Sequence, residues 1–182
     1  MKNCPIMQKI LAVVIGFMIC SGISGLDPAS AQKWSDLIVG SLPDSSFALI
    51  EFDKSNCKIR HLPYRDGNGS IDLDQLIYCL GTFSSEQWID IKNRELARKT
   101  LEEHYYRFKL KKAEEGLKEP ININRAKLKE LVLLPNIGPV TAVKIYNYRD
   151  NHGFIEKIED IKNVEGIGPS TFNGIRYYIT VK

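Results

Sequence analysis

The sequence predicts a mainly α fold with a small β-ribbon, arranged as an α+β middle region followed by a carboxy-terminal domain of paired short helices. Three observations carry this prediction. A unit of about thirty residues occurs twice between Ile121 and Lys182, the mark of a duplicated supersecondary element. Two turns of one form, Pro135-Asn136-Ile137-Gly138-Pro139 and Glu165-Gly166-Ile167-Gly168-Pro169, sit at corresponding places in the copies. Apolar residues recur at helical spacing on either side of each turn.

The chain opens with Lys2 and Lys9 around the start of an apolar run over residues 10–20, and a more polar stretch then ends in Ala29-Ser30-Ala31. This is the pattern of a secretory signal peptide, residues 1–31, cleaved after Ala31. The run falls short of the ~20 residues a bilayer-crossing helix needs. Retention as an amino-terminal anchor is the alternative; after cleavage no stable membrane span is expected. Ile19 stands where a lipoprotein signal would have a small residue before Cys20. The expected location is exported, either periplasmic or extracellular.

Lys2, Lys9 and Asp27 leave with the signal, out of 25 basic and 22 acidic residues, so the remainder is only slightly basic. A dedicated nucleic-acid binder more often has a pI above ~9, and charge alone gives DNA binding little support. Of the four cysteines, Cys57 and Cys79 remain. In an oxidising compartment they form either a disulfide or two buried thiols.

Residues 32–118 form a middle region that matches no recognised pattern. Trp34 to Val39 reads as a short amphipathic helix. Phe47–Phe52 and residues 58–62 read as strands around the turn-forming Asp53-Lys54-Ser55-Asn56. The run Asp66-Gly67-Asn68-Gly69-Ser70-Ile71-Asp72 has the centre of a calcium loop. Tyr64 and Gln75 stand where that loop needs carboxylates, leaving an Asx/Gly turn as the other reading and no metal site expected. Asp72 with Gln75 makes a capping box for a helix over residues 73–80 that Gly81 ends. A second box, Ser84 with Gln87, predicts a longer helix reaching about Glu115 and stopped by Gly116, with Trp88, Ile91, Leu96, Leu101, Tyr105 and Phe108 as its apolar stripe. Its end interleaves Arg107, Lys109, Lys111 and Lys112 with Tyr105, Tyr106 and Phe108. That mixture suits either a nucleic-acid backbone or a solvated helix end whose cations complement the dipole. Residues 116–120 mark the boundary to the repeat domain, residues 119–182.

In the first copy Leu128, Leu131 and Val132 precede the turn, and Ala142, Ile145 and Tyr146 follow it. In the second, Ile158, Ile161 and Val164 precede it, and Phe172, Ile175 and Ile179 follow. The pattern makes four short helices paired as two hairpins. Glycine gives such turns positive φ or close approach of a ligand, and Pro139 and Pro169 suit the first helical position. Free N–H groups at the start of the next helix attract an anion, phosphate in particular.

At these residues the chain resembles the ComEA-like family of helix-hairpin-helix repeats. The resemblance rests on Ile121-Asn122-Ile123-Asn124, the two turns, Tyr148-Arg149-Asp150-Asn151-His152-Gly153-Phe154 and Tyr178-Ile179-Thr180-Val181, and covers the last third of the chain. It implies a tandem helix-hairpin-helix domain that holds double-stranded DNA by its phosphates, indifferent to sequence, as the family does with incoming DNA in natural transformation. Carried onto this chain, the phosphate-binding positions are Asn136, Ile137, Gly138, Thr141, Lys144, Gly166, Ile167, Gly168, Ser170 and Thr171. Asn136 replaces the first glycine of its turn, a substitution the left-handed region tolerates. Val140-Thr141 and Ser170-Thr171 stand where relatives often carry a lysine or arginine, leaving Lys144, Arg149, Lys162, Arg176 and Lys182 to compensate.

No nucleophile–base pairing, carboxylate pair or nucleotide-binding phosphate loop is legible, so neither a catalytic residue nor a cofactor is expected. The leading reading is an exported, sequence-independent DNA-binding protein, with uptake of DNA as the process the resemblance implies. The alternative is a structural or protein-interaction module with a protein partner in the envelope, since the fold also resembles that of an extrinsic photosystem II subunit. Fold alone does not decide between them.

Overall fold

The computed structural model describes residues 34–182 apart from Lys118, so the signal reading lies outside the described residues. Helix α1, Asp36–Ser41, is capped by the Ser35 hydroxyl, which accepts from the Ile38 N–H. It buries none of its residues, and Leu37 is 88% exposed. The amphipathic helix expected there exists but does not bury its apolar face.

Strands β1, Phe47–Phe52, and β2, Lys58–Pro63, form an antiparallel ribbon. Its register runs from Phe47 opposite Pro63 to Phe52 opposite Lys58. The Asp53 carboxylate accepts the N–H groups of Ser55 and Cys57, and Asn56 takes φ 57, so the connecting turn uses Asx chemistry. Leu62 has φ 56, which breaks the strand's alternation and buries His61 and Leu62 in succession.

The loop at Asp66 is an Asx turn. One carboxylate oxygen accepts from both Asn68 and Ser70, and Gly69 takes φ 84. No group of three metal-ligating side chains exists among the described residues. Asp72 then caps α2, Leu73–Gly81, by accepting from the Gln75 N–H. Gln75 does not return the bond to Asp72; its oxygen accepts from the Trp34 N–H. The Cys79 thiol is buried and donates to the Pro63 carbonyl, and burial pushes its pKa up to about 12.

The long helix α3 spans Ile91–Glu115 and does not begin at Ser84. Residues Phe83–Ser85 make a separate 3-10 turn, and Asp90 is the N-cap, accepting from the Lys92 N–H. The cause is a tertiary contact: Glu51, buried in the ribbon, accepts the N–H groups of Ile89 and Asp90 and the Asn93 amide. Those amides cannot also serve an earlier helix turn. Leu101 and Tyr105 of the expected stripe are buried, but Ile91 and Leu96 are exposed and Ala97 takes a core place. Gly116, at φ 66, ends α3 as the sequence predicts.

The hairpin region begins with β3, Ile121–Asn122, and closes with β4, Ile179–Thr180, paired in parallel. Between them lie α4, Leu128–Leu131; α5, Pro139–His152; a 3-10 helix, Ile158–Asn163; and α6, Pro169–Ile175. The helix before the second turn is of the 3-10 kind. One expectation is corrected here. Ile179 belongs to a strand, because the chain leaves the helix after Ile175 to pair with Ile121. One apolar cluster runs from Leu62 and Leu76 through Leu101 to Ile145, Ile175 and Ile179.

No helix among the described residues is long and apolar enough to cross a membrane.

Candidate nucleic-acid interface

Each hairpin is built by the same local chemistry, offset by the interval from Ile137 to Ile167. An acid at the third helical position turns back to the entering backbone: Glu130 accepts the Lys127 N–H, and Asp160 accepts the Lys157 N–H. At the turns, Asn136 (φ 60) and Gly166 (φ 91) occupy equivalent left-handed positions. Asparagine here takes the part that glycine has in the other copy. Ile137 and Ile167 follow, both buried, and their N–H groups donate to Leu134 and Val164 carbonyls.

Gly138 and Gly168 are the N-caps of α5 and α6, with Pro139 and Pro169 at the first helical position. The first regular helical bonds are Ala142 N–H to Gly138 and Phe172 N–H to Gly168. The amides of Val140, Thr141, Ser170 and Thr171 precede those bonds and have no partner one turn back. In α5, a helix of 14 residues, they also lie at the positive end of the dipole.

Gly138 and Gly168, like Gly40 and Gly67, are held to glycine by neither backbone angle nor packing, but of these four only Gly138 and Gly168 cap a helix start. Their φ angles are −95° and −82°, which any residue adopts. A Cβ built on either would meet nothing within 4 Å. Gly81, by contrast, is fixed by packing, since a Cβ there would lie 2.5 Å from Val143 Cγ2 and 2.8 Å from the Pro139 carbonyl.

The surroundings of the two turns are unequal. Helix α2 packs on α4 and α5, and its Asp74 accepts the Lys129 N–H at the start of α4. Lys109 of α3 donates to the Val132 carbonyl at the end of α4, and burial holds its ammonium below the usual lysine range. The first turn is thus braced from two sides, with Gly138 half-buried. Gly166 and Gly168 of the second turn are exposed.

The cations named from the sequence scatter. Lys144 pairs with Glu165 at 2.8 Å. Arg149 turns inward to the Ile123 and Ala126 carbonyls. Lys162 lies over the Phe172 ring, and Arg176 donates to the Tyr177 hydroxyl. At the end of α3, Arg107 pairs with Glu103 and Lys112 with Glu115. Arg107 and Lys112 are thus answered by acids of their own helix. Sequence reasoning missed Asn124, whose buried amide group bonds Ile155 through both N–H and C=O and also reaches the Val181 carbonyl. Its only local sign was its place in Ile121-Asn122-Ile123-Asn124.

Comparison with known proteins agrees with this geometry. Residues 117–180 match the helix-hairpin-helix motif family. The chain is 45% identical over 62 residues to ComE operon protein 1 of Bacillus subtilis (strain 168), covering 34% of this chain and 30% of that one. It is 38% identical over 63 residues to endonuclease/exonuclease/phosphatase family domain-containing protein 1 of Danio rerio, and 35% identical over 63 residues to that of Homo sapiens. These matches span 35% of this chain but only 12% and 11% of those relatives. The chain therefore spans less than a third of the length of each of these relatives. No solved structure matches. Residues 117–180 are a helix-hairpin-helix domain, similar in sequence to part of ComE operon protein 1.

Proposed function

We propose that this chain is an exported, non-enzymatic protein that binds double-stranded DNA without regard to sequence, taking backbone phosphates at its two hairpin turns. Amides that reach phosphates fix position on a duplex and read no base edges, so the binding is sequence-independent. The observation that carries the reading is the pair Gly138 and Gly168. Neither conformation nor packing demands glycine at these positions, yet both are bare and stand beside helix-start amides. A ligand that must approach the backbone closely accounts for that bareness. The similarity to ComE operon protein 1 supports a role in the uptake of DNA. Gly138, Thr141, Gly168, Ser170 and Thr171 would supply the amides. Asn136 and Gly166 would set the turn, Ile137 and Ile167 would anchor it, and Lys144 would add charge. On this reading residues 1–31 export the protein, residues 32–118 brace the first hairpin, and residues 119–182 hold the DNA.

One observation favours the second reading, a structural or protein-interaction module. The first hairpin is already used for packing, with α2 lying on Pro139 and Val143, and Arg149 is committed to carbonyls within the domain. A single experiment separates the two. Residues 32–182 are titrated with labelled duplexes of unrelated sequence at several salt concentrations. DNA binding gives equal affinities and a log–log salt slope of about −0.9 per phosphate neutralised. Absence of binding at low salt overturns the DNA reading and leaves the protein-interaction one.

A further inference from the structure

The ion pair between Lys144 and Glu165 joins the two hairpins at the edge of the more open turn. Lys144 projects from α5 of the first hairpin; Glu165 immediately precedes Gly166 in the second turn. Their side chains are 35% and 85% exposed, and the Nζ–Oε1 distance is 2.8 Å. Lys144 holds the Glu165 carboxyl below the usual range by hydrogen bond and charge. Nothing comparable stands at the equivalent place in the other copy. Gly174 corresponds to Lys144, and a Cβ there would lie 3.6 Å from the Asn136 amide nitrogen of the first turn. Pro135 corresponds to Glu165. The pair is therefore specific to turn two.

A carboxylate beside an anion-binding turn repels the phosphate the turn is to receive, unless a cation answers it. Lys144 answers it, and as a flexible ammonium it can serve a phosphate oxygen equally well. An ion pair this exposed is weakly held and easily exchanged.

We propose, building on the DNA-binding reading, that Glu165 stands in for a phosphate at the second turn and that a duplex takes Lys144 from it on binding. Lys144 then neutralises a phosphate at turn two from the opposite hairpin, and Glu165 lowers the affinity of the empty site.

The test measures duplex affinity against salt for the wild type, Lys144→Gln and Glu165→Gln. Lys144→Gln weakens binding and makes the salt slope shallower by about 0.9, the increment of one phosphate that is no longer neutralised. Glu165→Gln leaves the slope unchanged and tightens binding by roughly threefold to tenfold, because a like charge and a competing partner are both gone. The opposite signs are the signature. Each variant breaks the same ion pair, so a merely structural pair would move both affinities in one direction, and that result overturns the inference. So does a Lys144→Gln slope equal to that of the wild type. Failure of all three proteins to bind duplex overturns the proposed function, and the exchange with it.

Discussion

The two hairpins share one pattern and stand in different surroundings. The first is held between α2 and α3: Gly81 lies against Pro139 and Val143, Asp74 accepts from the start of α4, and Lys109 closes its end. The second has a 3-10 helix in place of the first α-helix, a second helix of seven residues and exposed glycines. A duplicated unit need not divide its labour equally. One copy is fastened to the rest of the chain, and the other is left accessible.

The heaviest penalty comes from breaking the fastening. Gly81→Ala places a Cβ against Val143 Cγ2 and the Pro139 carbonyl, and the carbonyl, being backbone, has little room to yield. Overpacking of this kind costs about 1–3 kcal/mol, read as a lowered urea midpoint. Gly40→Ala, whose Cβ meets nothing within 4 Å, serves as the control. Equal midpoints for the two variants would mean that α2 does not brace the first hairpin.

The second prediction sets the turns side by side. Gly138→Val and Gly168→Val both leave helical content intact, since neither site is strained or crowded. At the open turn, Gly168→Val weakens duplex binding by about tenfold, or ~1.4 kcal/mol. Gly138→Val has a smaller effect, because that turn is already half-covered. The reverse order would show that the braced hairpin is the primary site.

Much of this was legible in the sequence where the cause is local. The ribbon, the turn at Asp53 and the Gly116 stop depend on partners near in sequence and stand as read, while at Asp72 the N-cap forms but Gln75 does not return the bond. The start of α3 at Asp90 was not legible, because Glu51 draws in the Ile89 and Asp90 amides from across the chain. Ile179 kept the apolar spacing of a helix yet joined a strand, for its partner Ile121 lies at the other end of the domain. The turn glycines were named from the sequence, but the Lys144–Glu165 pair and the unequal covering of the turns arise only when the two copies are folded together.

The third prediction separates the bracing region from the hairpins by pH. His61 is buried between Glu51, at 3.0 Å, and Glu86, at 2.7 Å, and stacks on Trp88. Burial opposes charge on the ring, but the hydrogen bond and charge of Glu86, with Glu51, outweigh it and raise the pKa above the ordinary 6.5. Burial likewise works against the Glu51 carboxylate, but the Ile89 and Asp90 N–H groups, Asn93 and His61 hold it below the ordinary 4.5. The raised histidine contributes stability that is complete below 6.5 and lost as pH climbs through its folded value. The depressed carboxylate contributes stability present above 4.5 and lost as pH falls through its folded value. Stability therefore peaks between these limits. Glu86→Gln moves the alkaline loss to lower pH. Urea midpoints that stay flat from acid to alkaline pH would show that the cluster holds nothing together.

The mildest substitutions ask whether the two turns are interchangeable in conformation though not in exposure. Asn136 at φ 60 and Gly166 at φ 91 meet the same backbone requirement with different side chains. Asn136→Gly removes a small left-handed cost but gives the unfolded chain more freedom, and the two nearly cancel, leaving a change within about 0.5 kcal/mol. Gly166→Asn costs little more. Gly166→Val costs about 1–2 kcal/mol, because a β-branched residue is excluded from that region whatever the open space around it. If Gly166→Val proved as stable as Gly166→Asn, the second turn would not be held left-handed in solution. Its likeness to the first would then lie in the sequence and not in the conformation that presents the amides.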